Sequence, residues 1–157
     1  MGVSRFDEVH EEIHGGSRYL LVSMAERTFG IDVRHIGPIV EQPSVTPVPN
    51  IPSFILGVCS IHGAIHSVVD IYPLLSFAPR FDAGDPVPYV AVVAGPEFSC
   101  GVVVESVGEL LRIPSAAIVD SDETVPYVTG TYHRDGDSVL VLDVPALFQC
   151  PEMTQFR

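Results

Sequence analysis

The chain repeats its own pattern once, and this repeat limits the possible folds more than any single motif does. The segment TFGIDVRHIGPIV aligns with SCGVVVESVGELL, which matches Gly30 to Gly101. Further on, FILGVCSIHGAIHSVVDI aligns with YVTGTYHRDGDSVLVLDV, which matches Gly57 to Gly130 in the same order and at nearly the same separation. A period of about 70 residues is longer than the unit of a solenoid. The repeat therefore predicts two similar small subdomains that pack against each other.

Each copy of the repeat has the pattern of a β-rich unit. Short runs rich in Val, Ile and aromatic residues, such as YLLVSM, YVAVVAG and SVLVLDV, are separated by Gly, Pro and Asp-Gly turns. About five strands per copy are enough to close a sheet on itself and to hide its edges. We therefore expect an all-β fold of two tandem five-stranded β-barrel subdomains, with a few short helices at YPLLSF and PALFQ.

The domain organisation follows from the extent of the repeat. We expect residues 1–16 to be a flexible acidic segment and residues 17–150 to be one domain. Its two lobes are predicted at about 17–80 and 86–150, with exchange of strands between the lobes left open. Residues 151–157 are expected to be a tail. The segment HEEIHGG near the N-terminus carries metal-ligating residue types, and His10, Glu11 and His14 match the H-E-x-x-H spacing, but it belongs to an acidic segment that we expect to be solvated.

Charge and hydropathy exclude several classes of function. The formal net charge is -12 and the isoelectric point is about 4.6, with only 8 basic residues. Nucleic-acid binding draws on clustered Lys and Arg, so we expect no nucleic-acid partner. No uninterrupted apolar run has the length of a membrane span, and the acidic N-terminus has no hydrophobic signal core. We therefore expect a cytoplasmic protein without direct membrane insertion.

The stretch GVCSIHGAIHSVVDI contains residue types that occur in catalytic and metal sites, but the repeat favours a hairpin. His62 and Gly63 align with Asp135 and Gly136, and Asp-Gly is a strong signal for a two-residue turn. Asp143 ends the aligned stretch of the second copy, as its counterpart Asp70 ends that of the first. We predict that each carboxylate caps the short helix that follows it.

Two chemical alternatives for the same stretch remain open at this point. His62 and His66 could supply two ligands of a zinc site, and Cys59 with His62 could form a nucleophile and its base. The second copy has Tyr132 and Val139 at the positions of Cys59 and His66, so the repeat does not preserve these groups. We predict no catalytic, cofactor or metal site, and we expect the 3 cysteines to be buried reduced thiols.

The succession of segments resembles the CheW family, the coupling proteins of bacterial chemosensory arrays. The segments are, in order, YLLVSMAERTFGIDVRHI, VTPVPNIPSFILGVCSIHGAIHSVVDI, CGVVVESVGELLRI and VTGTYHRDGDSVLVLDV. The resemblance covers about residues 17 to 148 and implies two intertwined five-stranded SH3-like barrels without enzymatic activity or cofactor. It also implies two partners that such a protein bridges, the regulatory domain of a CheA-type histidine kinase and the cytoplasmic tip of methyl-accepting chemoreceptors.

The resemblance further implies which residues bind protein partners. The receptor-facing groove of the family lies between the barrels, and the matching residues here are Val33, Ile36, Gly57 and Val107. A helical receptor tip could lay an apolar stripe into such a groove. We therefore expect these residues to form the apolar part of a protein-binding surface.

Two further positions of this surface depart from the family pattern. A glutamate and an arginine that normally pair in the family are replaced here by Pro38 and His62. An arginine-carboxylate pair gives bidentate, oriented recognition that His and Pro cannot reproduce. The main prediction is a scaffold that couples chemoreceptors to a CheA-type kinase, and the alternative is a CheW-like adaptor for a different partner.

Overall fold

The computed structural model describes residues 16–121 and 124–155, in which the chain is mainly β-structure. The strands are β1 (Gly16–Met24), β2 (Arg27–Asp32), β3 (Ile36–Glu41), β4 (Ile55–Ile61), β5 (Ala64–Val69), β6 (Tyr89–Ala94), β7 (Ser99–Val104), β8 (Ser106–Pro114), β9 (Val128–Arg134) and β10 (Asp137–Leu142). Single 3-10 turns lie at Val33–His35, Pro73–Leu75 and Ser115–Ala117, and two short helices, α1 (Val144–Phe148) and α2 (Pro151–Thr154), follow β10. Residues 1–15, which include the HEEIHGG segment except its last glycine, lie outside the described residues.

The strands form two five-stranded sheets that are related by the sequence repeat. One sheet has the order β8-β1-β2-β10-β9 and the other has the order β3-β6-β7-β5-β4. Replacing each strand by its counterpart in the other copy converts the first order into the second. Each sheet contains one parallel pair, β10 with β2 and β5 with β7. The predicted all-β fold with two five-stranded units is therefore confirmed.

The two sheets do not correspond to the two halves of the chain. The first sheet, here called barrel A, combines β1 and β2 of the first copy with β8, β9 and β10 of the second. The second sheet, barrel B, combines β3, β4 and β5 of the first copy with β6 and β7 of the second. Strands are thus exchanged, and the chain crosses between the barrels after β2 and again after β7.

Each barrel is closed by one antiparallel bridge beyond its edge strand. Thr46, which follows β3, exchanges backbone hydrogen bonds of 2.8 and 2.9 Å with Val58 on β4. Val119, which follows β8, makes the corresponding pair with Thr131 on β9 at 2.9 and 2.8 Å. These bridges join the two ends of each sheet, so the edge strands are protected from pairing with other chains.

The main hydrophobic core lies between the barrels. On β1, Leu21 faces the interior of barrel A, whereas its neighbours Leu20 and Val22 belong to a larger cluster formed by both barrels. This cluster, the interbarrel core, also takes Phe29 from β2 and Val102 from β7. Because strand residues alternate between two faces, a strand buried on both sides is apolar at successive positions. Both barrels therefore contribute side chains to the same core.

Glu105 links the barrels at the second crossover, between β7 and β8. Its carboxylate accepts a hydrogen bond from the buried Tyr72 hydroxyl of the segment after β5, and another from the Ala25 N–H at 3.1 Å. The Arg80 guanidinium lies 4.0 Å from the same carboxylate oxygen. Burial, and then the hydrogen bond to Glu105, raise the pKa of Tyr72, so its hydroxyl keeps its proton. One carboxylate therefore joins the β1–β2 turn of barrel A to barrel B.

Replacing Glu105 by alanine is expected to lower the free energy of unfolding by about 2 kcal/mol, because the buried Tyr72 hydroxyl loses its acceptor. Chemical denaturation followed by circular dichroism measures this loss. The double variant Glu105→Ala/Tyr72→Phe is the matched control. It should recover about 1 kcal/mol of the free energy of unfolding, because the Tyr72 hydroxyl that lost its acceptor is removed. No recovery in the double variant would contradict this account of the contact.

The aspartates at the ends of the two hairpins have different roles. Asp143 is the N-cap of α1 and accepts a hydrogen bond from the Ala146 N–H at 3.0 Å, as predicted. Asp70 does not cap the 3-10 turn at Pro73–Leu75. Its carboxylate accepts the N–H groups of Tyr72 at 3.0 Å and Arg80 at 3.1 Å, which fixes the loop after β5. The cap prediction for Asp70 is therefore wrong, because a longer loop returns to this carboxylate.

The residues after the second hairpin are part of the core. Residues 151–154, expected to belong to a tail, form α2, and Met153 of this helix is buried in the interbarrel core. Pro151 at the first position of α2 is favourable because its missing N–H would have no helical partner. Among the described residues, no helix is long and apolar enough to cross a membrane.

Candidate functional site

Three of the predicted binding residues lie at the two crossovers between the barrels. Val33 is half-buried in the 3-10 turn that leads from β2 of barrel A to β3 of barrel B. Ile36 begins β3, and Val107 lies at the start of β8 after the return crossover. Ile36 and Val107 occupy equivalent positions of the repeat, are half-buried, and pack against the interbarrel core. We call the surface at these two crossovers the crossover surface; the strand register places Val107 opposite Val22 of β1, and Asp32, which precedes Val33, opposite Tyr19 of β1.

The packing of Ile36 affects how the surface can be tested. Ile36 pairs with Val93 of β6 and contacts the interbarrel core, so an Ile36→Asp substitution would disturb folding as well as binding. Val33 lies on the turn itself and is partly accessible. Val33 is therefore the better position for a substitution that is meant to affect binding alone.

Pro38 and His62 are both exposed. Pro38 lies where the pairing of β3 with β6 is irregular, between Ile36 and Ile39, and a residue without an N–H is suited to such a position. His62 has a φ of 51° and, with Gly63, forms the two-residue turn between β4 and β5. The predicted hairpin at this place is therefore confirmed.

Gly57 has a structural role that the sequence comparison did not suggest. It is buried, has a φ of 147°, and lies under the bridge that closes barrel B. A Cβ atom at this position would lie 2.1 Å from the backbone oxygen of Thr46. Its counterpart Gly130 lies under the other bridge, with a Cβ position 2.5 Å from the oxygen of Val119. Both glycines allow the close approach of two backbones that barrel closure requires.

An ion pair that sequence reasoning missed lies on the crossover surface. The Arg34 guanidinium donates to both carboxylate oxygens of Asp32, with Nη2 at 2.7 Å and Nε at 3.1 and 3.2 Å. The side chain of Arg34 is 67% exposed, whereas that of Asp32 is only 10% exposed. Burial opposes ionisation of Asp32, but the hydrogen bonds from Arg34 outweigh it, so the pKa of Asp32 lies below its usual value. The pair presents an oriented guanidinium directly beside Val33.

Replacing Arg34 by alanine is expected to cost about 1 kcal/mol of folding stability at neutral pH, because Asp32 keeps its burial but loses its partner. The folded pKa of Asp32 is depressed below 3.8, so the stabilisation by the pair is present above that pH and is lost as the pH falls through the folded pKa. Urea unfolding at pH 7 and at pH 3 measures the difference between wild type and variant. A difference that stays constant over this range would contradict the role of the pair.

A second ion pair lies on barrel A, at the position that corresponds to Pro38 in the repeat. Glu109 on β8 is the counterpart of Pro38 in the repeat, and its carboxylate lies 3.4 Å from the guanidinium of Arg134 on β9. Arg134 also lies 3.8 Å from Asp137. The Glu109–Arg134 pair joins the two edge strands of barrel A near the bridge at Val119. The alignment of the repeat could have identified Glu109 but not Arg134, because the counterpart of His62 is Asp135.

The described residues do not assemble a metal centre or a reactive thiol. No group of three or more His, Cys, Asp or Glu side chains in residues 16–121 and 124–155 could hold a metal ion. Cys59, Cys100 and Cys150 are free and buried, as predicted. Burial raises the pKa of all three thiols, to about 12 for Cys100, so they remain protonated near neutral pH. Cys59 is buried while His62 is exposed, so the two do not form a nucleophile and base.

A cavity of about 200 Å³ lies away from the crossover surface. It is open to the surface beside α2, and none of the six predicted binding residues lines it. Its lining residues are Phe54, Ile55, Ser67, Val69, Phe98, Ser99, Cys100, Glu152 and Met153. Of the predicted binding residues, Gly57 is buried within β4, and the other five are half-buried or exposed outside this cavity.

Comparison with known proteins gives one consistent result. The family model of the CheW-like domain matches residues 18–152. The chemotaxis protein CheW of Klebsiella aerogenes is 25% identical over 143 residues, which cover 88% of this chain and 85% of that protein. The chemotaxis protein CheW of Thermotoga maritima is 26% identical over 127 residues, which cover 79% of this chain and 82% of that protein.

A solved structure has the same fold. The crystal structure of the scaffolding protein TtCheW from Thermoanaerobacter tengcongensis matches with a TM-score of 0.73 at 23% identity. The match covers 87% of this chain and 95% of that chain. Because the family model also spans most of the sequence, the chain belongs to the CheW-like domain family.

Proposed function

We propose that this chain is a non-enzymatic scaffold that couples chemoreceptors to a CheA-type histidine kinase. The observation that carries the proposal is the crossover surface, where Val33, Ile36 and Val107 come from the two passages between the barrels. An interface of this kind concentrates affinity in a few apolar contacts surrounded by polar groups. Arg34, held by Asp32, supplies an oriented polar group at its edge.

The receptor partner of the crossover surface is the cytoplasmic tip of a methyl-accepting chemoreceptor. A helix can place an apolar stripe against half-buried Val33, Ile36 and Val107 in the helix-in-groove manner. The exposed guanidinium of Arg34 suits an acidic or carbonyl group on such a helix. This arrangement does not require the arginine-glutamate pair that His62 and Pro38 replace.

The kinase partner is the regulatory domain of the CheA-type enzyme, which binds a barrel face outside the crossover surface. Exposed large apolar side chains outside that surface are available for such a contact, namely Ile39, Val48, Ile65, Leu110 and Val119. The family resemblance implies that the regulatory domain of the kinase is itself CheW-like. Two such related double barrels that meet through different faces make a heterologous contact, which can close into rings. We place the protein in the cytoplasm, in chemosensory arrays, and its net charge of -12 disfavours a nucleic-acid partner.

Calorimetric titration of the full chain with each partner tests the proposal. We expect a dissociation constant of about 1 to 10 μM for the kinase regulatory domain and for a receptor-tip fragment, as is common for transient signalling interfaces. Binding to neither partner would overturn the proposal and favour a CheW-like adaptor with a different partner. The unfolding transition of the chain is measured in parallel. If neither titration gives heat beyond that of dilution while the unfolding transition is normal, misfolding does not explain the absence of binding.

A further inference from the structure

The cavity beside α2 lies where the two copies of the repeat differ in side-chain size. In barrel A, Phe29 of β2 is paired directly with Leu140 of β10, and both side chains are fully buried. The corresponding residues of barrel B are Cys100 of β7 and Ser67 of β5, and both line the cavity. A phenyl ring and a branched aliphatic side chain are thus replaced by a thiol and a hydroxyl group. Barrel B therefore leaves open a volume that barrel A fills with its own side chains.

The segment that packs over this place also differs between the copies. In the first copy, Phe77 follows β5 and packs edge to face against Phe29, with ring centroids 6.3 Å apart. At the corresponding position after β10, the second copy has Cys150, whose side chain is smaller. An aromatic ring thus completes the packing at one site and is missing at the other. An apolar cavity of about 150 Å³ can hold a benzene molecule, so the cavity of about 200 Å³ has room for one six-membered ring.

The lining of the cavity combines aromatic walls with a negative charge. Phe54 and Phe98 both line it, and the Phe98 ring is held against that of Phe148 on α1, with centroids 5.2 Å apart. Glu152 of α2 also lines the cavity and is exposed, whereas none of the described lining residues is basic. An ammonium group is attracted both by a carboxylate and by the faces of aromatic rings. The cavity therefore suits a ligand with one ring and one positive charge.

We propose that this cavity binds a small monocyclic arylalkylamine. The ring of the ligand takes the place that the side chains of Phe29 and Leu140 fill in barrel A, and its ammonium group lies beside Glu152. Burial of the ring supplies most of the affinity, because apolar surface leaves water. The ion pair adds less, since an exposed carboxylate is well solvated, but it selects cations. The cavity is separate from the crossover surface, so the test of this proposal does not depend on the coupling function.

Mapping of amide chemical shifts on the full chain, with benzylamine as the probe, tests the proposal. Benzyl alcohol and benzoate carry the same ring without charge and with a negative charge, and methylammonium carries the positive charge without the ring. We expect benzylamine to shift the amide signals of residues 67–69 and 98–100, with a dissociation constant on the order of 0.1 to 1 mM. It should bind about threefold more tightly than benzyl alcohol, and benzoate should bind most weakly of the three. Absence of shifts at these residues, or equal shifts with methylammonium, would overturn the proposal.

Two variants test the two parts of the site separately. Ser67→Leu places in the cavity the side chain that barrel A has at the corresponding position, so it should weaken benzylamine binding about tenfold or more. Its matched control is Ser60→Leu, at an exposed position of β4 outside the cavity, which should bind as wild type does. Glu152→Gln, also at an exposed position, should bind benzylamine and benzyl alcohol equally, and it tests the site even if Ser67→Leu does not fold. Unchanged binding in a folded Ser67→Leu variant, or an unchanged preference for the amine in Glu152→Gln, would contradict the proposed site.

Discussion

Replacing Gly57 by alanine is expected to lower the free energy of unfolding by about 4 kcal/mol or more, which is at the upper end for a single substitution. Two costs combine at this position. The backbone has a φ of 147°, which side chains other than that of glycine rarely adopt, and the new Cβ would lie 2.1 Å from the Thr46 oxygen. Because a backbone atom cannot turn aside as a side chain can, the bridge that closes barrel B has to open.

Equilibrium denaturation of wild type and variants measures this effect. Gly63→Ala is the matched control, since Gly63 also has a positive φ, of 83°, but nothing lies within 4 Å of its Cβ position. We expect this control to lose only about 1 kcal/mol. If both variants lose the same amount, the close approach at the bridge is not what Gly57 provides.

The substitution Val33→Asp is expected to weaken binding of a receptor-tip fragment about thirtyfold or more, as for a central contact of an interface. The new carboxylate would be desolvated on binding and would also lie next to Asp32, which already holds Arg34. Calorimetric titration measures the loss in affinity. The free energy of unfolding of the variant is measured in parallel, because Val33 is half-buried.

Val119→Asp is the control for this prediction. Val119 is 46% exposed and belongs to the closure of barrel A rather than to the crossover surface. The control introduces the same charge into the same acidic protein, and its affinity for the receptor tip should stay within about twofold of wild type. An equal loss of affinity in both variants would show that added negative charge, and not the crossover surface, determines binding.

The repeat allowed much of the fold to be predicted. A glycine pattern that recurs in the second half of the chain implied two equivalent units, and the turns at His62 and Asp135 followed from the hairpin signal of their glycine neighbours. The strands of the first copy have counterparts in the same order in the second. These features depend on the local spacing of residues, which can be read from a single sequence.

The pairing between the copies could not be predicted in this way. The parallel pair of β2 with β10 joins Thr28 to Val139, which are far apart in the chain, and local periodicity does not specify which copy supplies a neighbour. The two copies carry the same pattern, so exchanged and unexchanged barrels satisfy it equally well. The loop that returns to Asp70 was missed for the same reason, since Arg80 lies ten residues after it.

The binding surface was predicted only in outline. The family resemblance indicated Val33, Ile36 and Val107, but it did not reveal that Ile36 and Val107 pack against the interbarrel core. The charged groups were harder to identify, because the Arg134–Glu109 pair joins two strands that become neighbours only when the barrel closes. The assignment of these residues to partner binding stays a prediction.

Reconstitution of kinase control tests the coupling function in one measurement. Membranes that contain chemoreceptors are combined with a CheA-type kinase and ATP, with and without the full chain, and autophosphorylation of the kinase is measured with and without attractant. A coupling protein should make the kinase rate depend on attractant, whereas mixtures that lack the chain should show no such dependence. The proposed function would be contradicted if the kinase rate did not respond to attractant in the presence of the chain, while an established coupling protein restored the response in the same mixtures.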